Sequence, residues 1–318
     1  MVAILPERSS VLEGIELGIG TWAWGDRLFW GYDRDYDDQD LKAAFQTCLA
    51  AGVNFFDTAE VYGQGRSERI LGKLIQEARE SSVYKDTPIK ISTKFTPFPW
   101  RLTRSSLIRA LRGSLQRLEI SCVDLYQIHM PLPPINIETW MQAMLEAYEA
   151  GLTLAIGVSN FDRDQMQRAY RTTTRQGVPL ASNQVEYSLL NRKVEKDGLL
   201  KLCQDLGVRL IAYSPLAMGL LTGKYTPENP PQGPRARRFS PKYLAQIQPL
   251  ISLLRLIGAD HAGKTPSQIA LNWLMCHGAI PIPGVKYQEQ AEQDVEAIGW
   301  RLSEDEVAQL DQMSERVA

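Results

Sequence analysis

Val53-Asn54-Phe55-Phe56-Asp57-Thr58-Ala59-Glu60-Val61-Tyr62-Gly63 is the stretch that decides how this chain folds. Val53 to Phe56 is an apolar run of strand length, set off by Gly52 from a helix-period segment. An Asp at the end of such a strand, and a Tyr five residues later in a loop closed by Gly63, is an unusual place for both. Two further strand-like runs end in the same manner. Ile89-Lys90-Ile91-Ser92-Thr93 runs into Lys94, and Val123 to Ile128 runs into His129. Asp57, Tyr62, Lys94 and His129 thus follow three successive strands, and together they point to one site.

Outward from this stretch, helical and strand-like patterns alternate. Leu41, Ala44, Phe45, Cys48 and Leu49 mark a helix over Asp37 to Ala51. Ser67 to Ala78 follows, with Ser67 as its expected N-cap. Thr103–Leu118 and Ile137–Ala150 are the next helices. Further strands are expected at Ala155–Ser159, Ala181–Val185, Val208–Tyr213 and Ala279–Ile282, each followed by helical sequence. A first strand is expected over Gly14 to Gly20, after an N-terminal segment forming a hairpin across a barrel floor. Ser303-Glu304-Asp305-Glu306 opens a C-terminal helix with a capping-box pattern.

Eight strand–helix units with right-handed crossovers make an α/β chain whose parallel strands close into a (β/α)8 TIM barrel. One domain, 1–318, is expected, because no linker or composition break divides it. An open doubly wound sheet is the structural alternative. It gathers its ligand at one switch point, whereas the marked residues here follow most of the strands. Gly18-Ile19-Gly20-Thr21-Trp22-Ala23 matches the G-x-G-x-x-A dinucleotide fingerprint, which requires a helix to open within it. An aromatic loop follows instead, so that match is set aside.

Composition narrows the function. The net charge is -2 over 318 residues, which gives no electrostatic reason to expect nucleic acid or a membrane surface as partner. Cys48, Cys122, Cys203 and Cys276 are scattered, without a C-x-x-C pair; no metal site or disulfide framework is expected. No apolar run reaches membrane-spanning length, and Met1 to Ser10 lacks the apolar core of a signal peptide. A cytoplasmic enzyme is the expectation.

From about Leu17 to about Leu310 the chain resembles the aldo-keto reductases, NADP-dependent carbonyl reductases built on a TIM barrel. The likeness rests on an ordered set of motifs. They are Gly20-Thr21-Trp22, Asp57 to Gly63, Lys94, Gln127-Ile128-His129, Gly157-Val158-Ser159-Asn160-Phe161, Asn183-Gln184-Val185-Glu186-Tyr187, Ala212-Tyr213-Ser214-Pro215-Leu216 and Ile282-Pro283-Gly284. The chain is most similar to the branch containing plant and cyanobacterial reductases and potassium-channel β subunits.

The resemblance implies roles for the four marked residues. Tyr62 gives a proton to the carbonyl oxygen, Lys94 lowers the phenol's pKa from its usual value of about 10, and Asp57 keeps Lys94 charged and in place. His129 orients the carbonyl or relays the proton. Alone, each has an ordinary structural role as turn former, rim aromatic, ion-pair partner or hydrogen-bonder.

The implied cofactor is NADP(H). Tyr213 is expected to stack on the nicotinamide, with Ser159, Asn160 and Gln184 at its carboxamide, and Gly20, Thr21, Trp22 and Asp57 approaching from the first two strands. Ser214, Pro215, Leu216, Gly219, Leu221 and Lys224 lie in the loop implied to fold over the pyrophosphate, with Arg235 farther on. Gly284, Lys286, Gln290, Gln293 and Asp294 are implied to hold the adenosine and its 2′-phosphate, where a lysine ammonium favours NADPH over NADH. Relatives often carry Glu then Asn where this chain has Gln293 then Asp294. An ionised Asp cannot donate as Asn does, and its charge would oppose a phosphate.

Trp22, Trp24, Trp30 and Trp100, with Tyr62 and His129, are expected to line the substrate pocket. Aromatic aldehydes, small dicarbonyls and pyridoxal rank equally as the small carbonyl partner. A monomeric reductase is the first expectation. The alternative is a nicotinamide-sensing regulatory or binding subunit with little turnover.

Overall fold

The computed structural model describes residues 11–232 and 239–317. Eight parallel strands pair in chain order: β1 (Ile19–Gly20), β2 (Phe55–Asp57), β3 (Lys90–Phe95), β4 (Val123–Ile128), β5 (Thr153–Ser159), β6 (Leu180–Glu186), β7 (Arg209–Tyr213) and β8 (Ile280–Pro281). Gly20 bridges Gly284, so the first and last strands meet and the sheet comes round on itself as a (β/α)8 barrel. Between the strands lie α1 (Asp38–Ala50), α2 (Arg66–Glu80), α3 (Arg104–Leu118), α4 (Ile137–Glu149), α5 (Arg163–Thr174), α6 (Lys193–Lys196), α7 (Leu199–Leu206), α8 (Pro241–Asp260) and α9 (Pro266–Cys276). α10 (Gln288–Val295) follows β8, and α11 (Glu304–Val317) ends the chain's described part. No helix among the described residues is long and apolar enough to cross a membrane.

Strand parity explains where the site lies. Successive side chains of a strand point to opposite faces. Phe55 belongs to the cluster inside the barrel, and Phe56 to the larger core between sheet and helices. The inner cluster also holds Leu125, Ala155, Ile211 and Ile280, and Val11, Leu12 and Ile15 pack against it as a floor. Two residues farther along the strands, the inward positions turn polar: Asp57, Gln127 and Tyr213. Lys94 pairs in register with Gln127, and Ser159 with Gln184. The barrel therefore has an apolar lower layer and a polar upper one, at the strands' C-terminal ends. The upper layer is tight. A Cβ on Gly157 would meet Ser182 Oγ at 2.2 Å.

Several boundaries differ from expectation. β1 spans two residues rather than Gly14 to Gly20. Residues 11–14 form a turn, and the expected hairpin falls mainly on residues 1–10, outside the described ones. β8 is equally short, because Pro281 and Pro283 have no N–H to give a ladder. Gly18 N donates to Pro281 O (3.0 Å) and Gly20 N to Pro283 O (2.9 Å) across this seam. Ser67 is not a cap. Gly65 precedes α2 with φ 82°, and Ser67 is buried within the first turn, as its second residue. Its Oγ joins Thr21 Oγ1 (2.7 Å) and Thr58 Oγ1 (2.8 Å), tying the loops after β1 and β2 together. At α11 the capping pair forms as expected, with Ser303 N donating to Glu306 Oε2 at 2.7 Å.

Candidate active site

Asp57, at the end of β2, is buried and has its carboxylate saturated with donors. It accepts from Lys94 Nζ, from Gln184 Nε2 (2.9 Å) and from Gln127 Nε2 (3.3 Å). Lys94, fully buried near the end of β3, also donates to Thr58 O (2.8 Å). Burial is the largest single influence and works against its charge, but Asp57 and the Tyr62 oxygen together outweigh it, so its pKa lies above the usual lysine value. A lysine ammonium is therefore kept in a dry place by one carboxylate and one carbonyl.

Tyr62 stands on the first residue of a single 3-10 turn, Tyr62–Gly65. Gly63 (φ 53°) makes that turn possible, because a Cβ there would lie 2.8 Å from Gly25 O. Lys94 Nζ is 3.4 Å from the Tyr62 hydroxyl. Here the expected direction is reversed. Burial pushes the phenol's pKa up, and the Lys94 ammonium opposes that without overcoming it. Tyr62 thus holds its proton at neutral pH. His129 follows β4, its ring 5.8 Å from that of Tyr62 and nearly perpendicular to it. Burial and the nearby Lys94 charge pull its pKa down to about 3, so it is neutral. Its carbonyl accepts from Asn160 Nδ2 (3.0 Å).

These groups open onto a cavity of about 570 Å³ that runs from Tyr62 and His129 past Tyr213 to Lys286 and Asp294. A carbonyl-sized acceptor beside both Tyr62 and His129 would meet one acid and one neutral hydrogen-bonding ring. The family model of the aldo/keto reductases matches residues 16–315. The chain belongs to the aldo/keto reductase family. It is an oxidoreductase, and its similarities run along nearly the whole chain. It is 42% identical to a chloroplastic pyridoxal reductase of Arabidopsis thaliana over 302 residues, covering 93% of this chain and 82% of that one. Among solved structures it is similar to a glycerol dehydrogenase from Gluconobacter oxydans (27% identity, TM-score 0.79, 95% of this chain and 92% of that one). It is also similar to an aldo-keto reductase from Klebsiella pneumoniae in complex with NADPH (28% identity, TM-score 0.74, 95% and 94%).

Most of the residues marked in this aldo/keto reductase's sequence meet at the cavity. Gly20, Trp22, Ser159, Asn160, Gln184, Tyr213, Ser214, Pro215, Leu216, Gly219, Lys224, Gly284, Lys286, Gln290, Gln293 and Asp294 all line it. Asn160 has both ends of its amide engaged: Nδ2 also reaches Ser159 Oγ (3.1 Å), and Oδ1 accepts from the Tyr213 hydroxyl (3.0 Å). The loop after β7 bends through left-handed backbone at Ser214 (φ 50°), Ala217 (φ 48°) and Met218 (φ 57°) before Gly219. Non-glycine residues there cost free energy and gather at binding loops. Lys286 has the Tyr36 ring centroid 4.8 Å from its Nζ, with Tyr287 and Trp30 at 5.6 and 5.7 Å.

Others do not reach it. Trp24 is fully buried against Phe56, and its Nε1 donates to Val285 O (2.9 Å), so it is a core residue. Thr21 turns away into the hydroxyl cluster with Ser67, and Leu221 is buried beneath its loop. Trp100 is 72% exposed, stacked on Phe98, and does not line the cavity. Arg235 lies outside the described residues.

Two participants escaped the residue-by-residue reading. Gln127, although inside a quoted motif, sits under Asp57 and donates to it. Asp26 lines the cavity and accepts from Phe29 N (2.7 Å), shaping the aromatic loop. Asp294 is buried, and burial pushes its pKa up to about 8. Near neutrality it is a carboxylic acid with an O–H to donate, which removes the charge expected to oppose a phosphate.

Proposed function

We propose that this protein reduces aldehydes and ketones to alcohols with NADPH, Tyr62 giving the proton. The reading is carried by one observation: a protonated phenol with a buried, charged ammonium 3.4 Å from its oxygen and a neutral imidazole beside it. Bound in the cavity, the cofactor would supply the hydride. The residues present suit such a ligand. Tyr213 gives an aromatic wall, the left-handed loop from Ser214 to Gly219 a concave backbone, and Lys224 and Lys286 cations for phosphates.

The chain's own groups then divide the work. His129 and Tyr62 together fix the carbonyl oxygen. Proton transfer leaves a phenolate, and the Lys94 ammonium stabilises that charge where it forms. Asp57 keeps the ammonium charged and fixes its position. Trp22 and Trp30, in edge contact at 5.4 Å, offer flat apolar surface beside Tyr62. A planar aldehyde fits there, and the Arabidopsis relative's name makes pyridoxal the first to try. We read the chain as one domain and a monomer. The four cysteines are free, which supports a reducing compartment, the cytoplasm being our choice.

The test is NADPH oxidation with pyridoxal and an aromatic aldehyde, comparing wild type with Tyr62→Phe. The variant should bind NADPH normally and lose roughly 10²–10⁴-fold in turnover. Equal rates would move the chemistry to another residue. A wild type that binds NADPH but reduces no aldehyde would make the protein a binding subunit.

A further inference from the structure

His129 is neutral, so its ring has one N–H and one lone pair, and which nitrogen carries the proton decides what it can do. To hold a carbonyl oxygen it must present an N–H to the cavity. Nδ1 is 3.2 Å from Thr96 Oγ1. Among the described residues, Nε2 has no hydrogen-bond partner, and His129 lines the cavity.

Thr96 is held unusually well for a residue just past a strand. It is 5% exposed. Its backbone N donates to Glu60 Oε1 (2.7 Å), and its carbonyl accepts from Arg101 Nη1 (2.9 Å). Arg101 forks onto both Glu60 oxygens, with Nη2 to Oε2 at 3.0 Å, and its guanidinium lies 5.0 and 5.3 Å from the Phe95 and Phe98 rings. Such a bidentate, aromatic-backed pair is rigid. Glu60 belongs to the same loop as Tyr62. One clamp therefore fixes the residue beside the acid to the residue beside the imidazole.

The hydroxyl of Thr96 has no acceptor among the described residues except His129 Nδ1. If Nδ1 carried the proton, it would donate to Oγ1 and leave the hydroxyl hydrogen of a buried threonine unmatched, at a cost. If the hydroxyl donates to Nδ1, both groups are satisfied and Nε2 bears the hydrogen. We infer that Thr96, clamped by Glu60 and Arg101, is a positioning residue that locks His129 as the Nε2–H tautomer, so that the ring donates to the carbonyl oxygen. In the other tautomer a lone pair would face that oxygen. The inference rests on the reductase reading for its purpose, but the tautomer can be observed without turnover.

The experiment is nitrogen-15 long-range correlation spectroscopy of the labelled protein at pH 7, with wild type, Thr96→Ser and Thr96→Val. With three histidines in the chain, the His129 signals can be assigned by His129→Gln. Wild type and Thr96→Ser should show one tautomer, with a pyrrole-type Nε2 and an acceptor-type Nδ1. Thr96→Val should show a mixture. Its kcat/KM for an aldehyde should fall about tenfold, short of deleting a donor outright, with NADPH affinity unchanged and Thr96→Ser near wild type. A wild-type spectrum with the proton on Nδ1, or an unmixed Nε2–H spectrum in Thr96→Val, would overturn the inference. If Thr96→Val does not fold, the wild-type spectrum alone still decides the first of these. A wild type inert toward every aldehyde would sink the reductase reading and leave the tautomer test standing.

Discussion

Two buried carboxyls line the same cavity and are treated in opposite ways. Asp57 accepts hydrogen bonds from an ammonium and two side-chain amides, at the end of the cavity beside Tyr62. Asp294, at the far end, is equally out of water but has no cation paired with it among the described residues, and burial alone raises its pKa to about 8. Burial disfavours the charged form of a carboxyl, and the donors around the group decide how far that goes unopposed. The first end pairs its carboxyl with a charged lysine, and the second leaves its carboxyl without a charge near neutrality.

The comparison breaks most visibly if Asp57 loses its cation. Lys94→Met should destabilise the fold by about 3–5 kcal/mol, because a buried carboxylate is left without its counter-charge. The double variant with Asp57→Asn should recover much of that in urea unfolding. A single variant as stable as wild type would mean that the two amides suffice. The converse change belongs at the other end. A carboxyl whose folded pKa is about 8, against an unfolded value of about 4, binds protons more tightly when folded. Its penalty is absent below pH 4, grows as pH rises to 8 and is full above that. Asp294→Asn should therefore stabilise the protein by several kcal/mol at pH 9, up to about 5, and leave it unchanged at pH 4. NADPH affinity of the wild type should weaken above pH 8, while that of the variant stays level. A flat wild-type profile would show that Asp294 does not titrate there. The smallest effect is expected outside both ends. Trp100→Ala, on an exposed ring that does not line the cavity, should change kcat/KM for pyridoxal by no more than about twofold.

The barrel was legible because strand periodicity is a local property and repeats eight times. The four marked residues were legible because each follows such a strand, where parity and direction are fixed. Trp22 and Trp24 mark the limit. Both sit in one aromatic loop, and periodicity ends where the strand ends. A tight turn over residues 22–25 sends one ring to the cavity and the other into the core against Phe56. Ser67 fails for a related reason. It has the composition of a cap, but its hydroxyl is claimed by Thr21 and Thr58, neither of them near in sequence. The net rise in the Tyr62 pKa was equally out of reach, since it depends on how much protein encloses the ring. Thr96 drew no attention because one threonine after a strand carries no signal without Glu60 and Arg101 in view.

The seam between β1 and β8 carries a last consequence. Each strand contributes two residues there, and Pro281 and Pro283 accept from Gly18 and Gly20 without returning a hydrogen bond. Gly20, Ile282, Pro283 and Gly284, from both sides of this join, also line the cavity. A ligand lying along them spans the place where the staves are held together least, and so acts as a clasp. The barrel's own rigidity then becomes partly a property of what it has bound.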